Sequence, residues 1–237
     1  MFVDVLAFSP HPDDADMGCG GLLLKLKSIG YTTGIIDLTE AELSSNGDPD
    51  TRKKETLNAS KILKLDVRKN LKISDGAVAN NGENRLKIIE IIRKYKPLLA
   101  IIPYEKDRHP DHENSNKLLK DAIFISGLKN FKTDSQFHKP KIVISYMLNY
   151  QFNHSFIVDI SDYYVQKMEA FAAYKSQFLG EGGGQPTYIN SRYFYDFITS
   201  RNKYYGLKIN VEYGEPFLIE SDIKIDNPVK FFDYIIF

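Results

Sequence analysis

Five histidines occur in the chain, and three of them fall in two similar clusters, His11-Pro12-Asp13-Asp14 and His109-Pro110-Asp111-His112. Imidazole and carboxylate donors suit zinc, and a catalytic zinc keeps three protein ligands plus an open position for water. Two histidines and one aspartate supply that count, so the chemistry indicated is metal-assisted hydrolysis. Fe2+ is compatible with the same donors. A single His-Pro-Asp can also be only a turn whose aspartate caps the next helix. The recurrence of the cluster is what favours a metal. Cys19 brings a sulfur nearby, but a lone cysteine at a glycine-flanked helix start reads as packing. His138 and His154 match neither cluster and read as structural or surface residues.

The elements that must position these clusters follow from the pattern of apolar residues. Residues 2–8 form an apolar run ending at Ser9-Pro10, and further strands are expected at 33–38, 69–73, 98–102, 141–147 and 155–160. Leu22, Leu26 and Ile29 mark a helix that Gly30 stops, and helices are expected at about 49–63, 83–95, 112–124 and 161–175. Asp48 before Pro49 supplies a cap and a first-turn signal. The continuous apolar run at 98–102 suits a parallel strand covered on both faces. Alternating strands and helices predict an α/β fold, a Rossmann-like and mostly parallel sheet flanked by helices, with a less regular C-terminal part. Residues 1–237 read as one domain. Each His/Asp cluster follows a strand, and ligands of open α/β sheets bind beyond the carboxyl ends of the strands. Two loops about a hundred residues apart can therefore meet. The glycines at 180 and 182–184 mark a candidate lid.

Lys plus Arg and Asp plus Glu both total 31, giving a formal net charge of zero, so no global field draws the protein to nucleic acid or an anionic membrane. Only one cysteine is present, which excludes an intrachain disulfide and fits a reducing compartment. The first residues lack the basic start of a signal peptide, and no apolar run approaches the roughly 20 residues of a membrane span. A cytoplasmic location is expected. The aromatic residues Tyr193, Phe194, Tyr195, Tyr204 and Tyr205 suggest core and subunit contacts, hence a homo-oligomer.

Residues 7–21, from Ala7-Phe8-Ser9-Pro10-His11-Pro12-Asp13-Asp14 to Gly20-Gly21, resemble the N-terminal signature of the PIG-L (LmbE-like) zinc deacetylases. The likeness extends through residues 38–47, Thr51-Arg52 and Arg108-His109-Pro110-Asp111-His112 into Ala173-Tyr174-Lys175-Ser176-Gln177-Phe178. Within that family the chain looks most similar to the bacillithiol-biosynthesis deacetylases, which act on N-acetylglucosaminyl malate. The resemblance implies His11, Asp14 and His112 as metal ligands and Asp13 as general base. It implies His109 as oxyanion stabiliser or acid, Asp111 as orienter of a neighbouring imidazole, and Arg52 as a substrate contact. Asp16 stands where such proteins usually carry glutamate, and Pro10 where a small residue is common.

The expected reaction is hydrolysis of the N-acetyl group of an N-acetylglucosaminide. Asp111 beside His109 favours the imidazolium, or else caps the helix near 112. Other N-acetylated sugars and amide conjugates of a thiol are alternatives within the same chemistry. A non-catalytic nucleotide-binding domain is the alternative of another class. Its support is Gly18-Cys19-Gly20-Gly21, which lacks the G-x-G-x-x-G spacing.

Overall fold

Seven strands form one mostly parallel sheet in the computed structural model, which describes residues 2–178 and 185–232. The candidate lid at 180–184 lies outside the described residues. The strands are β1 (Val5–Ser9), β2 (Thr33–Asp37), β3 (Val67–Asn70), β4 (Leu99–Pro103), β5 (Ile142–Tyr146), β6 (Phe156–Asp159) and β7 (Gly214–Leu218). Their order is β3-β2-β1-β4-β5-β7-β6, with β7 antiparallel to both of its neighbours. The first three strands run outward from β1 in one direction, and β4 and β5 in the other. The strand order thus reverses between β1 and β4, the position at which α/β sheets open a crevice for ligands. Both His/Asp clusters follow these two strands.

Alternation along the central strands divides the core in two. Val5 and Ala7 face one cluster with Leu23, Met168 and Phe171, while Leu6 and Phe8 face another with Ile88, Ile92 and Leu119. Successive strand side chains point to opposite faces, so a strand buried on both sides is apolar throughout. The helices that cover these faces are α1 (Asp14–Ser28), α2 (Pro49–Ile62), α3 (Gly82–Tyr95), α4 (Pro110–Ser126), α5 (Tyr164–Ala172), α6 (Lys175–Phe178), α7 (Arg192–Leu207) and α8 (Pro228–Phe232). Asp48 caps α2 by accepting the Thr51 amide, with Pro49 in the first turn. At α4 the cap is His109, not Asp111.

Some boundaries differ from the sequence pattern. β3 begins two residues before the expected 69, and the segment 161–175 is broken into a 3-10 turn, α5 and the start of α6. The glycines after β1 are packing residues inside α1. A Cβ at Gly18 would lie 2.2 Å from Tyr146 Cδ2, and one at Gly21 2.8 Å from Ile160. The helix breaks at Cys19 (φ −143°), and Glu215 from β7 accepts the Gly21 and Leu22 amides beyond the break at 2.9 and 2.8 Å. Those amides are therefore engaged by a side chain of the protein itself. Cys19 is buried and its thiol donates to Ala15 O.

Candidate metal centre and active site

The loop after β1 folds back on itself before α1 begins. Ser9 Oγ donates to His11 O at 2.6 Å and accepts the Ala15 amide at 2.9 Å. The His11 amide donates to Asp14 Oδ2 at 3.0 Å. Asp13 takes φ 133°, a conformation that L residues rarely adopt and that tends to mark functional sites. Its carboxylate makes no capping bond and instead accepts from Arg52 Nη2 at 2.9 Å. Arg52 comes from the first turns of α2.

His112, in the first turn of α4, meets this loop across the crevice. Three atoms converge: His11 Nδ1 to Asp14 Oδ2 is 3.1 Å, His112 Nε2 to Asp14 Oδ2 is 3.2 Å, and His112 Nε2 to His11 Nδ1 is 3.3 Å. A tetrahedral ion with bonds of about 2.0–2.1 Å has ligand–ligand edges of about 3.3 Å. The triangle therefore fits one face of a zinc-type coordination shell. The far nitrogen of each imidazole meets a carboxylate, with His11 Nε2 3.1 Å from Asp75 Oδ1 and His112 Nδ1 3.0 Å from Asp107 Oδ1. Such partners fix the tautomer and aim the other nitrogen at a metal.

Asp75 and Asp107 were not singled out by the sequence reading. Asp107 lies two residues before the second cluster, and Asp75-Gly76 follows β3, so position beyond a strand end was the available signal. Asp107 is a hub. It also accepts the His109 amide and both the amide and the side-chain nitrogen of Asn149.

Asp111 does not pair with His109. Its oxygens accept the Gly76 and Val78 amides at 2.7 and 3.2 Å, and Oδ2 lies 3.4 Å from His11 Nε2. His109 Nδ1 accepts the Asp111 amide at 3.2 Å. Burial, and then the charges of His11 and His112, hold the His109 imidazole below its ordinary pKa. The expected imidazolium thus gives way to a neutral ring with its proton on Nε2.

Burial pushes Asp13 up to about 7 against the pull of Arg52. Burial also opposes charge on His112 and Asp14, but their mutual attraction prevails. His112 is raised to about 9 and Asp14 held well below the carboxylate range.

These groups line a cavity of about 380 Å³ together with Ser44, Ser45, Asn46, Arg108, Gln177 and Phe194. Arg52 also lines it, and its Nε and Nη1 have no hydrogen-bond partner among the described residues. Arg108 lies 5.0 Å from the ring of Tyr188. His138 Nε2 donates to Pro97 O and His154 packs on Tyr205, neither of them lining the cavity. In the aromatic group, Phe194 and Tyr205 are buried whereas Tyr193, Tyr195 and Tyr204 are exposed. Asp16 is bound through both oxygens by Arg68, which also grips Asp37. The shorter carboxylate at 16 therefore has its partner.

The family model for GlcNAc-PI de-N-acetylases matches residues 6–123. The diacetylchitobiose deacetylase of Thermococcus kodakarensis is 30% identical over 188 residues, covering 73% of this chain and 70% of that protein. This chain belongs to the PIG-L family. Two solved structures place its α/β architecture among PIG-L folds. The conserved protein TT1542 from Thermus thermophilus is 35% identical with a TM-score of 0.88, covering 96% of this chain and 98% of that one. The N,N'-diacetylchitobiose deacetylase of Pyrococcus horikoshii is 27% identical with a TM-score of 0.79, covering 91% and 83%. Among the described residues of this PIG-L protein, no helix is long and apolar enough to cross a membrane.

Proposed function

We propose that this protein is a metal-dependent N-deacetylase that hydrolyses the acetamido group of N-acetylglucosaminyl L-malate, a step of bacillithiol biosynthesis, with residues 1–237 acting as one deacetylase domain. The observation that carries the chemistry is the triangle of His11 Nδ1, Asp14 Oδ2 and His112 Nε2, whose edges are 3.1–3.3 Å, in a cavity shared with Asp13 and His109. The amino-sugar class is supported by the diacetylchitobiose deacetylases to which the chain is similar. The malate reading is supported by the sequence motifs and by the two arginines lining the cavity, since guanidinium groups grip carboxylates bidentately.

His11, Asp14 and His112 would hold the ion, with zinc favoured by the donor set. A bound divalent ion supplies Lewis acidity, lowering the pKa of water from about 15.7 toward roughly 7 and polarising the acetyl carbonyl. Asp13 adjoins Asp14 but points to Arg52, so its carboxylate is left to accept the proton of the attacking water. Its raised pKa, about 7, suits transfer near neutral pH and return of that proton to the departing amine. His109 offers an Nε2 proton to the acetyl oxygen as negative charge builds there. Asp111 holds the 76–78 backbone against His11. Arg52 anchors Asp13 through Nη2 and lines the cavity, where the family resemblance makes it a substrate contact.

The test pairs metal content with acetate release for the wild type, His11→Ala and Asp13→Asn. His11→Ala is expected to lose both metal and activity. Asp13→Asn is expected to keep its metal and lose about 10²–10⁴ in kcat; retention of metal at full rate would remove Asp13 as the base. The second reading is an N,N'-diacetylchitobiose-type substrate, favoured by the similarity to those deacetylases. Strong preference for that disaccharide over the malate glycoside would replace the malate reading and leave the chemistry standing.

A further inference from the structure

We propose that Asp75 is a positioning residue that couples the metal ligand His11 to the cavity-lining loop that follows β2. Its two oxygens are engaged on opposite sides. Oδ1 lies 3.1 Å from His11 Nε2, and Oδ2 accepts the Leu43 amide at 2.9 Å. The Asp75 amide in turn donates to Glu42 at 2.8 Å. Leu43, Ser44, Ser45 and Asn46 all line the cavity, so this carboxylate stands between the candidate metal centre and the wall that meets substrate. Asp111 is the only other carboxylate at His11 Nε2 among the described residues. It is farther, at 3.4 Å, and its nearer oxygen already accepts the Gly76 amide at 2.7 Å.

The coupling follows from the chemistry of imidazole. A cation on Nδ1 withdraws electron density from the ring and makes Nε2–H a stronger donor. The bond to Oδ1 then gains charge-assisted character, and the carboxylate is held more firmly in place. The Leu43 amide, on the other oxygen of the same carboxylate, is held with it. By linkage, whatever orders the loop must strengthen metal binding by the same factor. The inference rests on the assignment of His11 as a metal ligand.

Asp75→Asn is nearly isosteric but replaces one acceptor oxygen with a donor, so it cannot serve His11 and Leu43 together. Zn2+ affinity, measured by competition with a chromophoric chelator, is expected to fall about 10–100-fold in this variant. Amide hydrogen exchange of residues 42–46 supplies the readout that a purely structural role would not move. In the wild type, Zn2+ is expected to slow exchange in this segment. In Zn2+-saturated Asp75→Asn that slowing is expected to be lost, while the exchange of β1 and β4 stays unchanged. Wild-type protein that loads Zn2+ with no change at 42–46 would overturn the proposal without any variant. So would an Asp75→Asn protein that keeps wild-type Zn2+ affinity and the slowing. His11→Ala with undiminished Zn2+ affinity is a different result, because it removes the metal assignment itself.

Discussion

Asp13 carries two unusual conditions at once, a backbone φ of 133° and a carboxylate that burial holds near pH 7. It lies between Asp14, which faces the two imidazoles, and Arg52, which reaches it from α2. Burial raises the carboxyl pKa most, and the guanidinium opposes that rise. Removing the positive charge therefore moves the pKa upward. A general base works only when deprotonated, so the acid limb of the kcat/KM profile of Arg52→Ala is expected to shift to higher pH. Activity just below the wild-type limb should fall by up to about tenfold more than activity on the plateau. A pH–rate profile checks this, and an unmoved limb would detach Arg52 from the proton-transfer step. The residue types of this pair were legible in the sequence, but their contact was not. Thirty-nine positions separate Arg52 from Asp13, and neither residue's spacing says that α2 turns its first turns toward the β1 loop.

At the scale of elements, the legible part was whatever a continuous apolar run can encode. β1, β2, β4 and β5 were visible because their residues are mostly buried on both faces of the sheet. β7 was not, because Gly-Glu-Pro-Phe-Leu has poor strand composition and owes its state to pairing with β5 and β6. β3, Val-Arg-Lys-Asn, was expected at 69–73 and lies at Val67–Asn70, its mostly polar residues marking no sharp edge. It carries Arg68, whose buried guanidinium joins Asp16 of α1 and Asp37 of β2 through four hydrogen bonds of 2.8–2.9 Å. Such a group stabilises little relative to an apolar substitute, but removing one partner strands the others. Arg68→Ala leaves two buried carboxylates uncompensated beneath the helix that carries Asp14. It is expected to cost about 3–5 kcal/mol in chemical denaturation. A loss below about 1 kcal/mol, the range of exposed ion pairs, would mean that the network is not load-carrying for the fold.

For the whole molecule, a net charge of zero conceals a strong local concentration of charge at the sheet's switch point. Asp14, Asp75, Asp107 and Asp111 gather around His11 and His112, and the two clusters that supply the imidazoles come from loops after β1 and β4. Without a cation, these carboxylates favour protons on the rings. Burial opposes the charge, yet interactions with Asp111, Asp14 and Asp75 raise His11 well above its usual pKa, and Asp14 and Asp107 raise His112 to about 9. Metal and proton then compete for His11 Nδ1 and His112 Nε2. Loading a divalent ion at pH 7 is therefore expected to release protons from the rings, and apparent affinity is expected to climb with pH through the range in which they deprotonate. The sign is fixed because deprotonation of the unloaded site removes the competitor. Calorimetric titration of the metal-free protein with Zn2+, in two buffers of different ionisation enthalpy, measures that release directly. Release near zero, or affinity that does not rise between pH 6 and 8, would mean that the ion binds without these two nitrogens.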